Sequence, residues 1–485
     1  MHGSSDALAL ARLAQASHPA VVFCARTTEA QRLKDEIAWF APQLSVLLLP
    51  DWETLPYDHF SPHHDLVSER LATLYRIMRE DFDVALVPAP SALTRLGPPS
   101  FLAGHSFFVK QGEKLALDAL RSQLTLAGYS HVTQVIAPGE YCVRGGIIDL
   151  YPMGSALPYR LDLLDAEIES IRSFDPDSQR TLYKVAEIRL LPAREFPMDE
   201  AGRNQFRRSF RDTFEGDPSK SRLYKDVSNG VAPPGIEYYL PLFFESTATL
   251  FDYLPKGAAV CMHGDVHGAL TEFSRDADGR HQLLQGDRSR PILPPSELFL
   301  SAEEFFVRAK DFSRADIGAA KDAPSARPLP ELAVERRAAD PLHLLKAFLS
   351  ATPARVMLLA ESPGRRETLS QYLAEYALSP EPCAGFEEFR RSDARLALGV
   401  APLLNGFVLE AERLCLVTES ELYAGTARSR AARDKARITS VEGMLRDLSE
   451  LRSGDPVVHV QHGIGRYRGL VELDLGARGV SNPGA

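Results

Sequence analysis

Along the first ninety residues, short apolar runs alternate with amphipathic stretches, and that rhythm predicts the fold class. Leu8–Ala16 reads as a helix by its Ala and Leu content, and Ala20–Cys24 as a strand. Thr28–Phe40 puts Ala30, Leu33, Ile37 and Phe40 at helical spacing, and Val46–Leu49 is a second buried strand. A helix over Ser68–Met78 and a strand over Val84–Val87 continue the series. Strands that alternate with helices predict an α/β fold on a parallel, doubly wound sheet.

The period then changes to two. Tyr141–Leu150, Tyr159–Leu164 and Ile168–Phe174 predict a three-stranded meander, with Pro, Gly and Ser at its first corner and Asp-Ala at its second. In the middle strand Tyr159, Leu161 and Leu163 share one face, while Arg160, Asp162 and Leu164 share the other. Arg144 lies close by on the neighbouring strand. Two readings stand side by side. Arg144 and Arg160 are solvated strand residues paired with Asp149, Asp162 or Asp165, or they form a docking surface beside the apolar Leu164.

The remaining organisation follows from composition shifts. Residues 117–196, which carry the meander, lie between 1–116 and 197–311. Asn204–Phe214 reads as a helix, and the aromatic Pro234–Phe244 as a turn and helix packed into the core. Residues 312–340 read as a linker. Residues 341–430 form a second α/β unit, with strands at Arg355–Ala360, Arg395–Val400 and Leu414–Thr418. Residues 431–452 supply a connecting helix, amphipathic over Val441–Leu451, and the basic Thr426–Arg437 reads as a solvated stretch. From 453 to 485 strand alternation returns around a Gly-x-Gly bend.

Composition narrows the classes. The 485 residues are 45% hydrophobic and 25% charged, ordinary globular values. No apolar run reaches membrane-span length and no signal-peptide pattern is present, so a cytoplasmic protein without membrane contact is expected. The five cysteines lie far apart and read as buried thiols of a reducing compartment. A net charge of −10 argues against wrapping nucleic acid with the whole surface.

Candidate chemistry is sparse, and no catalytic or metal-ligating residue is assigned. A nucleotide-binding sheet needs a glycine-rich turn with a Lys before its first helix. The matching stretch, His2, Gly3, Ser4, Ser5 and Asp6, has one Gly, no Lys and a carboxylate that repels phosphate. The strand over Ala258–Met262 leads to His263-Gly264-Asp265, without the acidic pair that holds magnesium. Asp58, His59, His63, His64 and Asp65 lack helical ligand spacing and read as caps and turns. Ser362–Glu367 reads as an ordinary helix start.

The VRGG stretch at Arg144, the PYRLD stretch at Arg160 and the sequence of residues 47–75, LLLPDWETLPYDHFSPHHDLVSERLATLY, resemble the bacterial transcription-repair coupling factors. The inserted stretch resembles the domain they share with the excision-repair protein UvrB. The resemblance implies a degenerate RecA-like (P-loop NTPase-like) sheet carrying an inserted UvrB-type interaction domain. It implies UvrA as partner, with Arg144 and Arg160 as contacts and Leu164 where relatives carry Phe. It implies that the run from Gly454 begins a Tudor-like barrel that binds the RNA polymerase β subunit, with His459 and His462 as barrel residues. Motor domains beyond this chain would supply ATP and magnesium chemistry on double-stranded DNA, and a C-terminal domain would mask the UvrA face. The alternative is a UvrB-like ATP-dependent damage binder. It needs a phosphate loop and a strand-wedging hairpin, and the dozen residues from Pro56 to Ser68 are too few for that hairpin. A small barrel needs about five strands, so a partial chain, cut within the barrel and before the first sheet is complete, is expected.

Overall fold

The structure, a computed structural model, describes residues 2–16, 19–287, 290–317, 326–423, 456–459 and 463–466. Ala20–Cys24 (β1) and Val84–Pro88 (β3) are buried at every position, as strands covered on both faces must be. Val46–Leu48 (β2) lies beside β3. Ser5–Ala16 (α1) and Thr27–Phe40 (α2) cover one face. His64–Met78 (α3) begins earlier than its apolar spacing indicates, because the His63 ring caps it by accepting the Asp65 N–H at 3.3 Å.

The chain then leaves for Phe107–Lys110 (β4), Ser130–His131 (β5), Glu140–Arg144 (β6), Ile147–Leu150 (β7), Tyr159–Leu164 (β8), Glu167–Phe174 (β9), Thr181–Val185 (β10) and Glu187–Leu190 (β11). It returns with Ala259–His263 (β12) and Ser313–Ile317 (β13), which complete a five-stranded parallel sheet in the order β13-β12-β1-β3-β2. Residues 313–317 were expected in a linker. Their alternation is weak, but they pair with β12 along its whole length.

The excursion forms a six-stranded sheet, β10-β9-β8-β7-β6-β5, and a separate β4–β11 ladder pairing Phe107 with Leu190. The stretch Tyr141–Leu150 is two strands, not the one its apolar content indicated. Arg144 pairs with Ile147 across the two-residue loop Gly145–Gly146. Gly145 has φ +60°, which glycine adopts without a Cβ clash and which suits the first position of a tight hairpin turn. One face of the sheet, with Tyr141, Ile148, Leu150, Leu161 and Ile171, belongs to the main core.

Ile236–Phe243 is a 3₁₀-helix entered through Gly235 at φ +75°, and its Tyr238, Tyr239, Leu240, Leu242 and Phe243 are buried. The second α/β unit is Arg355–Ala360 (β14), Glu381–Pro382 (β15), Leu396–Val400 (β16), Phe407–Leu409 (β17) and Leu414–Thr418 (β18), ordered β15-β16-β14-β18-β17. Within the expected linker, Leu332 is buried in this unit's core and the Arg327 amide donates to Val408. The unit shares a core with α2. Phe40 meets Phe386 edge-on at 5.1 Å, and the Trp39 Nε1–H donates to the Val400 carbonyl at 2.9 Å. Pro456–His459 (β19) and Gly463–Arg466 (β20) pair as an antiparallel hairpin. Gly454, His462, Thr426–Arg437 and Val441–Leu451 lie outside the described residues.

Candidate docking face

Strand register decides what the outer face of the inserted sheet presents. Pairing sets Arg144 beside Ile147, and Ile147 beside Asp162. One pleat along, Cys142 lies beside Asp149, Asp149 beside Arg160, and Arg160 beside Arg172. Residues two apart share a face of a strand, so both rows look away from the main core.

Asp149 organises this face. Its side chain is 0% exposed, while those of Arg144 and Arg160 are 53% and 20% exposed. Arg144 Nη2 donates to Asp149 Oδ2 at 2.5 Å. Arg160 grips the same carboxylate with two donors, Nε to Oδ1 at 2.6 Å and Nη2 to Oδ2 at 3.0 Å. Its guanidinium also lies 4.9 Å from the centre of the buried Phe174 ring. The hydrogen bonds to Asp149 hold the Arg160 pKa above its ordinary value, against the opposing effect of burial. Leu164 ends β8 and is 65% exposed, about 13 Å along the strand from Arg160 at 3.3 Å per residue.

The structure thus brings Arg144 and Arg160 together on one carboxylate and leaves Leu164 bare on the same strand. Two participants escaped the sequence. Asp149 figured only as a possible surface partner, although it is the buried centre. Arg172 was not singled out, yet it faces Arg160 and pairs with Asp162 at 3.0 Å, where the Ser170 hydroxyl also donates at 2.6 Å. The period-two spacing of Ser170 and Arg172 in Ile168–Phe174 was the available signal.

The second candidate, His2–Asp6, is taken up by the protein's own groups. The Ser4 amide donates to the Asn405 carbonyl at 3.0 Å. The Ser4 hydroxyl donates to Glu36 at 2.7 Å, and the Leu404 amide donates to the same carboxylate at 2.9 Å. A Cβ on Gly3, whose φ is +55°, would stand 2.5 Å from the Gly406 carbonyl oxygen. Asp6 accepts from Arg32 at 2.6 Å and shares a hydrogen bond with His263 Nε2 at 2.8 Å. Burial alone would raise the Asp6 pKa, but the His263 and Arg32 contacts outweigh it and hold the carboxyl well below its usual range. Burial pushes Glu36 the other way. Two carboxylates and a backbone carbonyl stand where a nucleotide's phosphates would need donors, so these residues do not fit that group. Asp265, which follows β12, caps the helix Val266–Leu284 by accepting the Gly268 N–H at 2.9 Å. Asp58 is bound to Arg280 at 2.7 Å. Among the described residues, no group of three His, Cys, Asp or Glu side chains is placed to hold a metal, and no helix is long and apolar enough to cross a membrane.

Comparison with known proteins gives three family matches. The UvrB interaction domain matches residues 107–196, the D3 domain of MFD matches 348–422, and the CarD-like/TRCF RID domain matches 451–482. The first begins at β4, whose partner β11 lies near its end. The chain is 41% identical over 483 residues to the transcription-repair-coupling factor of Escherichia coli strain K12, covering 98% of this chain and 42% of the relative. The protein of that name from Haemophilus influenzae is 39% identical, with 97% and 42% covered. The one from Bacillus subtilis strain 168 is 25% identical, with 98% and 42% covered. The chain therefore spans about two fifths of the length of these relatives.

Proposed function

The chain belongs to the transcription-repair-coupling factors, and from that premise we propose that its inserted domain recruits UvrA while the chain itself performs no catalysis. The observation that carries the reading is the convergence of Arg144 and Arg160 on the buried Asp149, with Leu164 bare at the end of the same strand as Arg160. Arginine held in place beside exposed apolar surface is the chemistry of interface hot spots, because a preorganised guanidinium loses little freedom on binding. The face acts by imitating UvrB. In this reading the parallel sheet is a degenerate RecA-like domain kept as scaffold, and 117–196 is the interaction domain. The run from Gly454 opens the Tudor-like barrel that contacts the RNA polymerase β subunit. The whole protein couples a stalled polymerase to excision repair, using an ATP-driven translocase on double-stranded DNA. Its own C-terminal domain covers the UvrA face until the motor engages.

Replacing Arg144 and Arg160 together by Ala is expected to abolish capture of UvrA in a pull-down, and undiminished capture would refute the assignment. The competing reading, a UvrB-like ATP-dependent damage binder, requires phosphate donors at His2–Asp6. There the Ser4 amide is already committed to Asn405. Titration with a fluorescent ATP analogue is expected to give no saturable binding, and a saturable site would favour the enzyme.

A further inference from the structure

Strand register gives the bare Leu164 an apolar neighbour. Asp162 lies directly opposite Ile147, and Leu164 follows Asp162 by two residues on β8. The register shift between β8 and β9 leaves its extra residue, Glu169, on β9, so the alternation of β8 runs on to Leu164. Leu163 packs inward on the main core, which turns Leu164 to the outer face with Ile147. The Leu163 amide donates to the Gly146 carbonyl at 2.8 Å and holds the end of β8 against the β6–β7 hairpin loop. Ile147 and Leu164 are thus diagonal neighbours across two strands, a separation of about 7–8 Å.

The pair is open to solvent. Ile147 is 38% exposed and Leu164 65%. The hairpin loop beside them carries no side chain, and a Cβ on Gly145 would meet nothing within 4 Å. Charged groups of both signs stand around the pair. Arg144 pairs with Ile147 on one side and Asp162 on the other, Glu167 lies opposite Leu164, and Asp165 is in the turn between those two. Asp162 is held by Arg172, and Arg144 gives one N–H to Asp149 while its side chain stays 53% exposed. An apolar centre inside a polar rim is the anatomy of a specific protein interface. The mixed rim favours neither an acidic nor a basic partner, so the apolar pair selects what docks. Arg144 adjoins Ile147, so a partner that reaches this guanidinium also covers the pair.

We propose that Ile147 and Leu164 together form the apolar hot spot of the docking face, receiving one apolar side chain of UvrA between them while Arg144 donates at its edge. This rests on the assignment of the face to UvrA and adds Ile147 as a residue that sets its specificity. The separation of the two side chains leaves room for one aliphatic or aromatic group, in contact with each at about 4 Å. Arg160, four-fifths buried and bound to Asp149 through two donors, lies about 13 Å along β8 from Leu164 and takes no part in this contact.

The test is the affinity of the full chain for immobilised UvrA, read by biolayer interferometry. Ile147→Ser and Leu164→Ser should each weaken binding at least about tenfold, and Ile147→Leu, which keeps the apolar contact, by less than about threefold. The double serine variant should lose less than the product of the two single losses, because both residues hold the same partner side chain. Leu182→Ser removes an apolar residue that is 53% exposed on β10, away from the pair, and should bind as the native chain does. Hydrogen-exchange protection of the β7 and β8 amides should stay within about threefold of native in each variant, which separates a lost contact from a loosened sheet. Full affinity in Ile147→Ser, single losses that multiply, or an equal loss in Leu182→Ser overturns the proposal and leaves the UvrA assignment standing. A native chain that does not bind UvrA overturns both.

Discussion

Asp149→Asn tests the organisation of the docking face most directly. The substitution keeps the shape and removes the charge that two guanidiniums share. Arg144 is half in water and resolvates when released, so its share is that of a surface pair, about 0–1 kcal/mol. Arg160 is four-fifths buried, bound through two donors and laid over Phe174. Removing one partner of a fully buried pair costs about 3–5 kcal/mol, and the residual exposure here brings the expectation to about 2–3 kcal/mol. Arg172, directly opposite Arg160, adds like-charge repulsion once the carboxylate is gone. Because the chain has several units, a single unfolding midpoint would mix their stabilities. Hydrogen exchange of the β7 and β8 amides reads the affected sheet itself. Protection there should drop by about thirtyfold or more for Asp149→Asn and for Arg160→Ala, at 1.4 kcal/mol per factor of ten. For Arg144→Ala it should change by less than about fivefold, at the upper limit of a surface pair. Equal losses for the two arginine variants, or none for Asp149→Asn, would refute the view that one buried carboxylate orients both.

Gly3→Val forces a β-branched residue into φ +55° and drives its Cβ against the Gly406 carbonyl. It should loosen the seam between α2 and the second α/β unit, red-shifting the emission of Trp39, and an unshifted spectrum would count against a tight seam. Glu237 predicts a pH dependence of stability. Its folded pKa of about 7 lies above the ordinary 4.5, so its contribution is complete below pH 4.5 and is lost as pH rises through 7, by up to about 3 kcal/mol. Hydrogen-exchange protection of Ile236–Phe243, corrected for intrinsic exchange, should show that loss between pH 5 and 8 in the native chain, and Glu237→Gln should shrink it. Burial pushes the Cys24 and Cys415 thiols up to about 12, so a disulfide exchange reagent should label neither until the chain unfolds.

The sequence announced some of this and could not announce the rest, for physical reasons visible at particular residues. Runs such as Ala20–Cys24 and Val84–Pro88 are apolar throughout because both faces are covered, and they stand out in any apolarity pattern. The alternation in Tyr159–Leu164 placed Arg160 and Leu164 outward correctly. The break at Gly145–Gly146 was lost because Tyr141–Leu150 is apolar on both sides of it, although a glycine pair between β-branched residues signals a hairpin. Asp149 could not be picked out, since a carboxylate's burial depends on which strands flank it. Least visible was the partner of the Ser4 loop. Asn405 and Gly406 are about four hundred residues away in sequence, and no local pattern links them.

On the proposal that the parallel sheet is a degenerate nucleotide fold, that long-range contact accounts for how the loop is filled without phosphate. In a nucleotide-binding sheet the loop after the first strand exposes amides to water or ligand, and the site stays soft enough to open and close. Here the Ser4 amide reaches a fixed carbonyl, Glu36 is buried under the Leu404 amide, and Arg32 neutralises Asp6 and Glu36 together at 2.6 Å from each. The Ser4 amide and the Asp6 and Glu36 carboxylates have internal partners, and among the described residues around them His263 Nδ1 stays buried without one. Trp39 and Phe40 join α2 to the second α/β unit. A sheet fixed in this way gives the inserted domain a fixed base, and under the proposed docking role that base would let Asp149 hold two arginines in place at little entropic cost on binding.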